Sequence, residues 1–215
     1  MALKISNITD PMCFVAMHES AHALAYIRAY RALEWDFPSF RRIFIRRDSS
    51  SPYIYKGAPL SDLAGMCEGS DIYLASTWVK PSIETKMAVN PTTIARMEWS
   101  ILISLAGPLA EAAARGARSK LDLGEMARKC GSKSDFDAAE AILLDYEKLS
   151  KRDRDIAYFE NRARKLVFAN WSAIDALANA LLVTEALEYG DAYAIVEPFL
   201  EPRLDADCVL PTHRF

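Results

Sequence analysis

Several things that a chain of 215 residues could carry are scarce here. Only four cysteines occur, Cys13, Cys67, Cys130 and Cys208, and none lies close to another. That spacing excludes a paired-cysteine zinc knuckle or redox motif and predicts reduced thiols in a cytoplasmic protein. Charge of one sign is lacking too: 26 basic residues stand against 29 acidic ones, a net of −3. A general nucleic-acid binder would show a basic excess, so no nucleic-acid partner is expected. No apolar run reaches the ~20 residues needed to span a bilayer. The longest, Trp99 to Ala110, is interrupted by Ser100, Ser104 and Gly107-Pro108 and bounded by Glu98 and Glu111. It reads as a buried helix, open to a kink at Pro108, and no membrane partner is expected. Met1 to Asp10 holds no basic cluster followed by an apolar run, so no secretory signal is expected. A Gly-x-x-x-x-Gly-Lys-Ser/Thr phosphate loop is missing from the chain, as are internal repeats.

What is present is apolar material, 51% of the residues, spread along the whole chain. This suits one substantial core, read as a single domain over 1–205 with a loose tail at 206–215. Asp10-Pro11 predicts a helix start, with Asp as cap and Pro in the first turn, and the helix should run from Pro11 to about Leu33 until Phe37-Pro38 breaks it. Phe40 to Arg47, Tyr53 to Tyr55 and Asp71 to Val79 read as strands of a small antiparallel sheet. From Pro91 on the pattern is helical. One long helix covers Thr92 to Arg115 and ends at Gly116, suited to a left-handed cap. A second begins with Ser134 as cap and runs to about Leu149, and a third covers Asp153 to Ala169. The fourth carries the clearest apolar stripe, Ile174, Leu177, Ala178, Leu181 and Leu182. Gly190-Asp191 should separate it from a short last helix ending at Val196. The fold class is therefore mainly α with a small antiparallel sheet. The arginines around Ile43 (Arg41, Arg42, Arg46, Arg47) read as charged flanks that block edge pairing, and Lys148 to Arg164 as a solvated helix face.

Chemistry enters through the histidines, of which there are three: His18, His22 and His213. Two stand in His18-Glu19-Ser20-Ala21-His22, inside the first predicted helix. At ~100° per residue they lie about 40° apart on one face, with Cβ atoms roughly 5–6 Å apart. Two imidazoles so placed can share one tetrahedral metal ion, while Glu19 sits where its carboxylate reaches a water rather than the metal. A metal lowers the pKa of such a water toward ~7, and the glutamate takes its proton and passes it to the leaving amine. A catalytic zinc site needs a third protein ligand. His213 is a candidate by residue type, Glu111 is a carboxylate in an apolar helix that needs a partner, and Asp135 also reads simply as an acid in a first helical turn.

These residues resemble a family, the peptidase domain of FtsH-type ATP-dependent zinc proteases. MHESAHALAYI looks like its zinc helix, SLAGPLAEAAARG like its small-residue helix with an Ala-Glu pair, and GSKSDFDAAEAI like its Gly-Ala-x-x-Asp segment. NWSAIDALANALLVTEALEYGDAYAIV is similar to its C-terminal helix pair. The resemblance implies a zincin-like active-site helix in an FtsH-peptidase-like helical domain, with zinc on His18, His22 and Asp135 and Glu19 as catalytic base. Glu111 then falls where a hydrogen bond to an imidazole would orient a ligand. The departures are Ala21 where the family has Gly, a poor match from Ser49 to Thr85 where the substrate-edge strand belongs, a short Leu149 to Asp153 stretch, and no ATPase. The expected function is zinc-dependent hydrolysis of peptide bonds in peptides or unfolded proteins, with a homo-oligomer or a separate ATPase left open as partners. The alternative is a non-catalytic binding module that keeps the fold.

Overall fold

The computed structural model describes residues 11–35, 38–48, 51–55, 57–60, 63–69, 91–117, 120–129 and 133–200. Helix α1, Met12–Ala32, is buried at every position from Ala16 to Ala25. A helix apolar or small on all sides belongs inside a domain. Its alanines let three neighbours approach closely: helix α2 (Pro91–Ala114), helix α6 (Trp171–Thr184) and the sheet formed by β1 (Phe40–Ile45) and β4 (Gly65–Gly69). Pro11 has helical angles, φ −59° and ψ −24°, while the expected cap Asp10 lies outside the described residues. The helix ends before Phe37-Pro38 is reached. Glu34 turns left-handed (φ 55°), its N–H reaches Arg31 O, and Trp35 N–H reaches Tyr30 O at 2.9 Å. The Tyr30 and Trp35 rings meet edge-on at 4.8 Å and complete this Schellman stop, so a capping motif and not a proline ends α1.

The fold is mainly helical with a small antiparallel sheet, as expected. Strand β1 is central, pairing with β4 on one side and β5 (Ala186–Glu188) on the other; Ile43 faces Cys67 across one ladder and Leu187 across the other. The arginines of this segment therefore do not guard an edge. Arg42 bonds to Tyr53 and Glu68, and Arg47 to Glu185, so the flanks find acceptors on adjoining segments. Strands β2 (Tyr53–Tyr55) and β3 (Ala58–Leu60) form a hairpin through Gly57, φ 82°. The strand expected over Asp71 to Val79 and the tail from Ala206 lie outside the described residues.

Helix α2 runs on across Pro108 and stops at Gly116 (φ 93°), with Gly116 N–H on Ala113 O and Ala117 N–H on Ala112 O. A further helix, α3 (Lys120–Lys129), follows it. Helix α4 (Lys133–Ser150) starts one residue before Ser134, which is thus within the first turn and not its cap. Helix α5 (Ile156–Ala169) starts later than Asp153, where Asp155 Oδ1 accepts from Tyr158 N–H at 2.8 Å. Its Arg162, assigned above to a solvated face, instead turns inward to Glu98 at 2.8 Å. Gly190 and Asp191 lie inside the last helix, α7 (Tyr189–Val196). Left-handed Glu185 (φ 62°) and β5 make the separation, because the chain must turn there to pair with β1. Among the described residues no single helix is long and apolar enough to cross a membrane.

Candidate metal centre

Helix α1 presents His18 and His22 one turn apart, as the 3.6-residue period requires, with ring centroids 4.7 Å apart. Both rings are held at Nδ1. His22 Nδ1 donates to the carbonyl of Ile103 at 2.7 Å, and His18 Nδ1 donates to Glu111 Oε2 at 3.0 Å. A carbonyl oxygen only accepts, so His22 must carry its proton on Nδ1, which leaves a lone pair on Nε2. The carboxylate of Glu111 imposes the same arrangement on His18. Arg115 secures that carboxylate, donating to Oε1 from Nε at 2.9 Å and from Nη2 at 2.7 Å.

The two Nε2 atoms then face each other at 3.0 Å. Helix α4 brings Asp135 Oδ2 to 3.1 Å from His18 Nε2 and 3.6 Å from His22 Nε2. With both rings neutral, three electron-rich atoms thus converge with no donor among them, an arrangement that could hold a metal ion. Zinc–ligand bonds of ~2.0–2.1 Å in tetrahedral geometry set ligand atoms about 3.3 Å apart, which the observed distances bracket. His18, His22 and Asp135 are the group of metal-ligating side chains that lies this close together among the described residues. His213 lies outside them.

The same acceptors also draw protons, so the cluster favours positive charge at the His18 imidazole. Burial alone would lower the His18 imidazole, yet Asp135 and Glu111 accepting from it, with Glu19 beside it, push it up to about 10. Burial would raise Asp135, but the positive field of His22 and bonds from both imidazoles hold it well below the usual carboxylate range. Glu19 is buried, and that desolvation pushes its carboxyl up against the opposing pull of His18 and His22. The backbone N–H of Cys67 in β4 donates to the Glu19 carboxylate.

His18, Glu19, His22 and Asp135 line one cleft of about 550 Å³, floored by α1 and α2 and bordered by Leu63 to Cys67. Strand β4 reaches α1 because two of its residues are glycines. A Cβ on Gly65 would lie 2.7 Å from Val15 and 2.9 Å from the Glu19 side chain, and one on Gly69 would fall inside the Tyr26 ring. Sequence reasoning missed β4, the Ile103 carbonyl and the Cys67 N–H. The last two are backbone atoms and leave no residue-type signal. No family model matches the sequence, and no curated protein matches it either.

Proposed function

We propose that this chain is a zinc-dependent peptidase, hydrolysing peptide bonds in peptides or unfolded proteins. The observation that carries the reading is the convergence of His18 Nε2, His22 Nε2 and Asp135 Oδ2 within 3.6 Å of one another. On this reading α1 is a zincin-like active-site helix in a domain similar to the FtsH peptidase. His18, His22 and Asp135 would hold the metal, with Glu111 and Ile103 O fixing the two rings. Zinc, when bound, supplies Lewis acidity for a scissile carbonyl and for the attacking water.

The remaining work falls to the chain's own groups. Glu19, adjacent to His18 in the cleft, accepts the proton of the attacking water and hands it to the leaving nitrogen. Its burial favours this, since a carboxylate with a raised pKa is a better base near neutral pH. Strand β4 is a sheet edge among the described residues and borders the cleft, so an extended substrate can lie along it by strand addition. Substrates must be extended already. A folded protein is stable by ~5–15 kcal/mol and seldom exposes its backbone, and this chain has no phosphate loop with which to pull.

The test compares a permanently unfolded protein with a stable folded one, each with and without ATP, using zinc-loaded protein and its Glu19→Gln variant. Cleavage of the unfolded substrate alone is expected, unaffected by ATP and lowered roughly 10²–10⁴-fold in the variant, which keeps its zinc. Native rates in the variant would remove Glu19 from the mechanism. Zinc bound with no cleavage of either substrate would instead favour a non-catalytic module.

A further inference from the structure

Helix interiors disfavour glycine by about 1 kcal/mol and proline by about 3 relative to alanine, yet α2 carries Gly107-Pro108 in its buried second half. Something at this turn must offset that cost. Gly107 lies against the imidazoles: a Cβ built on it would stand 2.3 Å from His22 Nε2 and 2.7 Å from both His18 Nε2 and His22 Cε1. Such approaches are well inside van der Waals contact, so a methyl there would overlap both nitrogens that face Asp135. Side-chain ends can often swing aside. These cannot, because each ring is fastened at its other nitrogen, His18 to Glu111 and His22 to Ile103 O, in a buried site.

Resting on the metal reading above, we infer that Gly107 is a positioning residue of the metal centre: the missing side chain at this one place in α2 keeps space open beside the two metal-binding nitrogens. The neighbouring proline fits the same purpose. Lacking an N–H, Pro108 leaves the carbonyl of Ser104, the neighbour of the Ile103 carbonyl, without its usual helical donor. That carbonyl is the acceptor that orients His22. A longer side chain at position 107 would therefore displace both imidazoles while leaving every ligand residue chemically unchanged.

Gly107→Ala is read in two backgrounds, native and His18→Ala/His22→Ala, by zinc titration and by thermal unfolding of the metal-free proteins. In the native background, zinc affinity should fall by more than the roughly 10–100-fold that losing an outer partner of a ligand costs. Any loss of thermal stability caused by Gly107→Ala should vanish once both imidazoles are gone, which also decides the matter if the single variant folds poorly. Unchanged zinc affinity, or an equal stability loss in both backgrounds, would overturn the role of Gly107 while leaving the metal reading intact. Failure of the unsubstituted protein to bind zinc would overturn the metal reading itself, and this inference with it.

Discussion

Asp135 and Asp137 stand in the same first turns of α4, yet one is tucked against two imidazoles and the other is exposed. Changing either to Asn removes one negative charge near the same helix start, worth about 0.3–1 kcal/mol through the helix dipole. Only Asp135→Asn should also deplete zinc, and metal analysis after dialysis checks it: near-stoichiometric zinc in the Asp137 variant, little in the Asp135 variant. Equal contents would move the third ligand elsewhere. At this scale the sequence was informative where chemistry resides in side-chain type and local spacing. His18, Glu19 and His22 are legible because one turn of helix brings them together by itself. Asp135 lies 117 residues from His18, and pattern alone favoured an acid of a first helical turn; only the family resemblance pointed to it as a ligand. The contributions of Ile103 and Cys67 are backbone atoms, and that of Gly107 is a side chain that is not there.

Among the elements, α2 does two jobs at once. Its second half holds the imidazoles, while near its start the buried Glu98 ties three helices together, accepting from Tyr146 of α4 at 2.8 Å and from Arg162 of α5 at 2.8 Å. Removing one partner of a buried ion pair typically costs about 3–5 kcal/mol. Glu98→Ala should cost about 3 kcal/mol in urea unfolding, given that Arg162 keeps some solvent access, and should leave zinc stoichiometry alone. A combined loss of stability and zinc would mean that α2 moves as a rigid whole. The longer helices were legible from their start signals, breakers and apolar stripes, while the ten-residue α3 (Lys120–Lys129) was not read. Nor were the short strands. Gly65–Gly69 contains no β-branched or aromatic residue, and its glycines answer to Tyr26, Val15 and Glu19 across the interface and not to any strand preference. Ala186–Glu188 is a strand only because β1 offers it an edge.

For the molecule as a whole, the proposed zinc would join α1 to α4, two elements that each pack on α2, and binding to the folded state alone must raise stability. At a free zinc level 100 times the Kd the gain is about 2.7 kcal/mol, worth roughly 5–10 °C in Tm for a chain of this length. Chelation should produce that drop in the native protein and almost none in Asp135→Asn; scanning calorimetry with and without chelator reads it directly. A native Tm indifferent to chelation would count against a site that bridges two helices.

The same long reach from His18 to Asp135 has a meaning for biosynthesis. Once His18 is made, a ribosome must add 117 more residues before the third ligand exists, a delay of roughly 6–23 s at about 5–20 residues per second. During that interval the nascent chain is itself an extended polypeptide beside an incomplete centre. On the peptidase reading, splitting the ligands across the chain delays assembly of the proposed centre until the whole segment between His18 and Asp135, a possible first victim, has been made.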